Sequence, residues 1–542
     1  MRFAIGLDDF KKLRTLVDSE GRHNFYCDKS LLIKDVIDDG SEIILLPRPR
    51  RFGKSLNLSM LKYFFGTEEP LFEGLAISQH QNILEGWRGK FPVIFMGLKN
   101  LKAQDLETLT SSLKIKISDV YKEYEYLLTS EKLTVLNKKT IEPYFEPHFT
   151  DSYLTNSFLY LTQMLEIHHG QKVWVLIDEY DTPLQEAYLK GFFPESVALF
   201  KNILGALLKS NNALYKGVVT GITRIAKESL FSDLNNVGTY DITCNEYAEH
   251  FGFTEKEIER MCPKDHISAL KSWYNGYRFG DGLTIYNPWS ILHFLKKGYK
   301  LAPYWINTSS NDLIQECITA DKLRDIHALI DGKSLDIKVE PYTVMNNLKE
   351  NPSSFWNLLF ISGYLTLDTD GRMTIPNLEV HDFFEKIVLK WFGGKQGETF
   401  LTDLLEDLIL GHVLELQSKL QRLILETMSF HDVTERKQES FYHGFLLGMT
   451  LGLRDRYVIK SNRESGYGRY DLALYPKDTQ KDPGILIEVK MGLKAKAGLQ
   501  QIEKKTYYQD LQTHGCSEIN RYSIAFDGKA VGLESNSDIT TV

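Results

Sequence analysis

Short unbroken apolar runs punctuate the first 245 residues of the chain: Glu42–Pro47, Phe91–Gly97, Val173–Asp178 and Tyr215–Thr220. Between them lie longer stretches with helical periodicity, such as Lys54–Phe65 and Val197–Lys209. A continuous apolar run reads as a strand buried on both faces, and the alternation with helices predicts a parallel sheet covered on both sides. From 246 to 400 the pattern turns mostly helical, apart from a Tyr-, Trp- and Asn-rich segment at Trp273–Ile291. Within it, Asn357–Pro376 ("NLLFISGYLTLDTDGRMTIP") reads as helix, glycine turn and hairpin, a winged-helix-like arrangement. Residues 401–542 begin with helices. They continue with a hairpin (Arg469–Tyr475 and Ile485–Lys490), a helix over about Lys496–Leu511 and a strand over Arg521–Asp527.

Length and composition add limits. A chain of 542 residues, 43% hydrophobic and 25% charged, has material for three or four globular domains. The net charge of -8 means that any contact with nucleic acid depends on local basic patches. Cys27, Cys244, Cys262, Cys317 and Cys516 show neither disulfide nor zinc-ligand spacing, which suits a reducing, cytoplasmic setting. Asp8 and Asp9 fall where a signal peptide needs an apolar run, and no apolar run is long enough to span a bilayer. The expectation is a chain with no membrane partner.

The first strand leads into "LLPRPRRFGKSLNLSMLKYFF". Strand, tight turn, Gly53-Lys54-Ser55 and helix is the setting of a P-loop. Gly53 lets backbone N–H groups approach phosphate oxygens, Lys54 neutralises phosphate charge, and Ser55 offers a hydroxyl to Mg²⁺ at a helix N-terminus. Taken alone, GKS is equally a basic turn capping a helix. Arg48 stands where the general pattern has its leading glycine. A second motif narrows the choice: "VWVLIDEYDTPL" is an apolar strand ending in Asp178 and Glu179, as a Walker B strand does. Asp178 would hold Mg²⁺ through water, and Glu179 would polarise an attacking water. In "YKGVVTGITRIAKESLFSDLNN", Thr220 could sense a terminal phosphate, and Arg224 is either a phosphate partner or a surface ion pair.

These strings, together with "WYNGYRFGDGLTIYNPWSIL" and "FISGYLTLD", resemble the AAA-ATPase-like proteins that carry a C-terminal PD-(D/E)xK nuclease domain. The resemblance covers nearly the whole chain. It implies an α/β fold in three parts: a P-loop NTPase parallel sheet over 1–245, a mostly helical, winged-helix-like middle region over 246–400, and a PD-(D/E)xK nuclease-like α/β domain over 401–542. The arginine-rich loop is similar to the family's own loops. Arg48, Arg50 and Arg51 in it could grip phosphate without promoting turnover, so ATP binding is expected and ATPase activity stays open.

The C-terminal hairpin carries the second chemistry. In "GILIEVK", Leu486, Glu488 and Lys490 share one face of a strand, and Ile485, Ile487 and Val489 the other. Asp471 heads the preceding strand. Two carboxylates suit Mg²⁺ or Mn²⁺, and a lysine can orient water and offset developing negative charge. By spacing alone, the same residues could be two edge-strand acids with a solvated lysine. The family pattern adds Glu439, in "ESFYHGFLLG", and Gln501, in "AGLQQIEKKTYY". Glu439 completes a metal shell or is a helix-start acid favoured by the dipole. Gln501, Lys504 or Lys505, and Tyr508 fall on one helical face and could meet a nucleic-acid backbone, although core packing suits Tyr507 and Tyr508 better. Lys490, Lys494, Lys496, Lys504 and Lys505 supply the basic patch.

The function these features imply is an ATP-binding, Mg²⁺-dependent nuclease, with DNA the expected partner. The P-loop domain would control it through a change of conformation or through assembly as a homo-oligomer. The rival from another class is a nucleotide-binding signalling or defence switch whose nuclease fold binds nucleic acid or a partner without cutting.

Overall fold

The computed structural model describes residues 2–223, 236–306, 314, 317–319, 322–340, 348, 352–393, 398–427, 438–461, 464–465, 468–492 and 494–539. It divides into two compact units, one of Met1–Leu313 with Asp336–Val380, the other of Ile314–Leu335 with His381–Val542. The boundary at Val380 falls inside the first turn of the helix Leu378–Gly393.

In the first unit the four predicted strands all form: β1 Ile43–Pro47, β2 Val93–Gly97, β3 Val173–Asp178 and β4 Leu214–Gly221. A fifth, β5 Val237–Thr239, was not predicted. At three residues it is too short to leave a pattern. The sheet order is β2-β3-β4-β1-β5, with every pairing parallel. Each residue of β1 and β3 is buried, as strands covered on both faces require. The order sets β4 between the two motif strands, so all three end at the same edge of the sheet.

The Tyr-rich segment forms a hairpin, β6 Tyr277–Phe279 and β7 Leu283–Ile285. Its aromatic rings pack on the loop after β1: Tyr277 meets Phe52 edge-on at 5.0 Å, and Phe279 lies 5.8 Å from the same ring. The winged-helix-like reading finds its parts in the helix Pro352–Ile361 and the hairpin β8 Thr366–Leu367 with β9 Met373–Thr374. Gly363 makes the turn between them at φ +85°, and a Cβ there would come within 2.8 Å of the Pro49 ring. Only glycine lets the turn lie that close to the loop.

The second unit holds a five-stranded sheet of order β10-β13-β14-β15-β16: Tyr457–Ser461, Leu472–Pro476, Gly484–Met491, Glu518–Asp527 and Ala530–Ile539. A two-stranded ribbon, β11 Glu464–Ser465 and β12 Gly468–Arg469, precedes β13. The β13–β14 hairpin and β15 match the sequence reading. The edge strands β10 and β16 are additions. The predicted helix Lys496–Leu511 is two pieces, Ala495–Lys505 and Gln509–Thr513, because Thr506 takes a left-handed backbone at φ +50° and ends the first. The break turns Tyr507 into the core, against Tyr470, Leu486 and Ile502. Among the described residues no helix is long and apolar enough to cross a membrane.

Candidate functional site

In the first unit the chain leaves β1 at Pro47 and enters the helix Lys54–Gly66 through a loop whose geometry rests on two left-handed residues, Arg51 at φ +67° and Gly53 at φ +87°. Gly53 occupies the N-cap position without a side-chain cap, so the first N–H groups of the helix face outward as donors. The Lys54 side chain is buried under the loop. Its ammonium donates to the carbonyl oxygens of Arg48 and Pro49, both at 2.9 Å. Burial lowers its pKa, and the acids Glu179, Asp178 and Asp181 oppose that shift.

Arg48 does not face the loop's open side. It is fully buried, with its guanidinium donating to the carbonyls of Pro47 (2.8 Å) and Tyr240 (2.5 Å) and lying 4.9 Å from the Phe251 ring. Burial pulls its pKa down to about 10. The expectation that it grips phosphate is corrected: the residue in the glycine's place ties the loop to the segment after β5. Arg50 and Arg51 do line the open side, with Gly53, Lys54, Ser55 and Glu179, around a cleft of about 360 Å³. Arg50 reaches Gln185 at 3.4 Å, and Arg51 stacks on the Trp289 ring at 4.1 Å.

Asp178 ends β3 and is buried. Its Oδ1 accepts the Thr220 hydroxyl from β4 at 2.7 Å. Thr220 is fully buried too, so its hydroxyl acts on the acid. Glu179 has a left-handed backbone, φ +53°, and its carboxyl pKa is raised, first by burial. Asp181 was not among the residues singled out from the sequence. Fully buried, its Oδ2 accepts the backbone N–H groups of Ile222 (3.0 Å) and Thr223 (2.7 Å), the Thr223 hydroxyl (2.7 Å) and the Gln185 amide (2.8 Å). This carboxylate pins the turn after β4 to β3. The Asp-x-x-Asp spacing from Asp178 was its only trace. Arg224 lies outside the described residues.

In the second unit, β13 and β14 run antiparallel with Leu472 opposite Ile487. One step further, the register sets Asp471 opposite Glu488. Asp471 Oδ2 accepts the Val489 N–H at 2.8 Å, locking the carboxylate across the hairpin. His443 Nε2 lies 3.0 Å from the Asp471 carbonyl oxygen, which can only accept, so that nitrogen carries the proton. Glu488 is buried, its side chain 3% exposed. Its Oε1 accepts from the Lys490 ammonium (2.8 Å) and the Gln501 amide (2.6 Å). Its Oε2 is buried with no hydrogen-bond partner among the described residues.

Burial pushes the Glu488 carboxyl up to about 7; the charge of Asp471 adds to the shift and Lys490 opposes it. The structure thus brings Asp471, Glu488, Lys490 and Gln501 together. Glu439 falls in the first turn of the helix Gln438–Met449, and its side chain lies outside the described residues.

Two carboxylates with one orphaned oxygen suit a divalent cation: a buried Oε2 without a donor is electron-rich and unsatisfied. Among the described residues no group of three or more His, Cys, Asp or Glu side chains gathers at one point. Lys494, Lys496 and Lys504 are exposed, whereas Lys505 is half-buried. Tyr508 falls after the helix break, beneath the Arg521 guanidinium at 4.9 Å, and not on the Gln501 face that unbroken helical spacing implied.

The order of motifs and the two centres define a chain joining a P-loop ATPase-like part to a nuclease-like part. Residues 4–231 match the family model described as predicted AAA-ATPase, and residues 437–535 match that of the PD-(D/E)XK nuclease superfamily. The chain therefore carries an AAA-ATPase-like domain at its N-terminal end and a PD-(D/E)XK nuclease superfamily domain at its C-terminal end. A protein of Azotobacter chroococcum mcd 1, described as an uncharacterized protein in the vnfD 5' region, is 27% identical across 76% of this chain and 74% of its own length.

Proposed function

We propose that this protein is an ATP-binding, metal-dependent nuclease that hydrolyses phosphodiester bonds of DNA, with the nucleotide state of the P-loop domain regulating the cut. The observation that carries the reading is the cluster at the shared end of β13 and β14, above all the buried Oε2 of Glu488 beside Asp471, which has no hydrogen-bond partner among the described residues. Asp471 and Glu488 would hold the divalent ion, which when bound supplies positive charge to the scissile phosphate. Gln501 and Lys490 hold Oε1 of Glu488, and among the described residues Oε2 is left without a donor and so would be the oxygen open to the ion. The Lys490 ammonium would orient the attacking water and offset the charge that develops on phosphate. In this reading the exposed Lys494, Lys496 and Lys504 receive the backbone phosphates.

In the first unit, Arg50, Arg51, Gly53 and Lys54 would take the phosphates of ATP. Ser55 and Asp178 would hold its Mg²⁺, and Glu179 would act on water if the nucleotide is hydrolysed. The test is cleavage of plasmid and oligonucleotide DNA with Mg²⁺ or Mn²⁺, with and without ATP, by wild type, Asp471→Ala and Lys490→Ala. Loss of cutting in both variants supports the reading, and equal cutting by all three removes it. One observation favours a binding-only switch: Oε1 of Glu488 already has two donors, which leaves a single open oxygen. Stable DNA binding with no cleavage under either metal would favour that reading.

A further inference from the structure

The helix Gln438–Met449 reaches the sheet of the second unit with two consecutive side chains. The Tyr442 ring stacks on Phe526 of β15, with centroids 4.1 Å apart and planes 3° apart, and its hydroxyl donates to the Gly528 carbonyl. The next residue, His443, reaches the start of β13 instead, where its Nε2 donates to the Asp471 carbonyl oxygen at 3.0 Å. β14, the strand of Glu488 and Lys490, lies between β13 and β15. One helix thus ties together the strands on either side of it. The helix is itself held by close packing at two glycines. A Cβ at Gly444 would stand 3.1 Å from Arg324 Cβ, and one at Gly448 would stand 2.9 Å from the Phe392 ring. His443 is therefore a buried donor on a fixed support.

We propose that His443 is a positioning residue for the nuclease site: by holding the Asp471 carbonyl it fixes the direction in which the Asp471 carboxylate is presented to a divalent ion. The proposal rests on the reading of Asp471 and Glu488 as metal ligands and adds the residue that orients one of them. Asp471 stands one residue before β13, whose pairing with β14 begins at Leu472 and Ile487. Its neighbours Tyr470 and Leu472 are both buried and anchor the chain on either side. Anchored ends still leave the planar peptide after Asp471 free to rotate as a unit, and that rotation swings the carboxylate. Two donors oppose it. The Val489 N–H holds Oδ2 at 2.8 Å, and the imidazole holds the carbonyl. His443 does not ligate through Nε2, because a nitrogen that carries a proton has no lone pair to give. It acts as the outer partners of metal sites do: they orient a ligand without touching the ion, and their loss weakens metal binding about tenfold or more.

The experiment titrates Mn²⁺ into the full chain by calorimetry, without DNA or nucleotide. The proteins are wild type, Asp471→Ala, His443→Leu, His443→Asn and His443→Gln. Leucine fills the space but has no donor, the asparagine amide stops short of the Nε2 position, and the glutamine amide reaches it. Asp471→Ala should remove one Mn²⁺ site. His443→Leu and His443→Asn should each weaken that same site by about tenfold, and His443→Gln should stay near wild type. Melting of the metal-free variants should stay near wild type, since lost affinity without lost stability marks positioning. The Mn²⁺ concentration for half-maximal DNA cleavage should rise by the same factor as the affinity falls. Wild-type Mn²⁺ affinity in all three His443 variants overturns the proposal. So does equal weakening in all three, or a fold lost in both His443→Leu and His443→Asn, which makes the histidine structural. If wild type binds no Mn²⁺, or Asp471→Ala binds it as wild type does, the metal-site reading itself falls and the proposal with it.

Discussion

Arg48 shows how a residue's place in a motif and its place in space can part. The sequence sets it where a P-loop has glycine, beside Arg50 and Arg51, and the three read alike. In space Arg48 faces inward and satisfies the carbonyls of Pro47 and Tyr240. We therefore expect Arg48→Gly, the change that restores the general pattern, to destabilise the first unit by roughly 2–5 kcal/mol. It leaves those carbonyls unpaired and a cavity behind. It should not tighten ATP, and thermal melting with nucleotide titration checks both. Glu488 sets a second expectation at this scale. Its carboxyl, facing Asp471, Lys490 and Gln501, titrates near 7 in the fold against about 4.5 unfolded. Between those values the folded state holds a proton that the unfolded chain has released, so stability falls as pH rises from about 4.5 to about 7. Melting of metal-free protein across this window should show that decline. Glu488→Gln, which cannot ionise, should flatten it.

At the scale of elements, strands were legible where burial left continuous apolar runs, as in β1, β3 and β14. Short or edge strands such as β5 and β10 were not, because half-exposed positions carry mixed residues. The helix after β14 read as one piece because its periodicity runs through Thr506, and a single left-handed residue leaves no mark on a pattern. Asp471, Glu488 and Lys490 stood out because a polar set at the end of an apolar hairpin breaks the strand's pattern, whereas Gln501, on the following helix, was read only from the family's pattern. Asp181 and Trp289 were not, since a buried acid and a half-buried tryptophan look like any others until their partners are placed. Gly498 belongs to this scale as well. A Cβ there would stand 2.1 Å from Ser523 Oγ and 3.0 Å from both Ser523 Cβ and Lys490 Cγ, so the helix Ala495–Lys505 lies on β14 and β15 with no room to spare. Gly498→Ala gains about 1 kcal/mol of helix propensity. It should still lose stability by about 1–3 kcal/mol, because Ser523 Cβ is fixed on a strand and the helix must shift. Cleavage should fall with it, since Gln501 rides on the same helix. Melting and nuclease assays on Gly498→Ala, and on Gly498→Ala with Ser523→Ala for partial recovery, check this.

At the scale of the molecule, two phosphate chemistries stand in two units of one chain. In the first, Lys54, Asp178 and Asp181 are buried around a loop that β6, β7 and the Gly363 turn press from outside. In the second, Glu488 Oε2 has no donor among the described residues. If nucleotide controls the nuclease, Lys54→Ala should abolish the effect of ATP on cutting while leaving the nuclease cluster whole. The most direct measurement is DNA cleavage with Mn²⁺ or Mg²⁺ by wild type, Asp471→Ala and Lys490→Ala, each with and without ATP. Wild type should cut, its cutting should change with ATP, and both variants should lose it. Cutting that persists unchanged in Asp471→Ala and Lys490→Ala would contradict it.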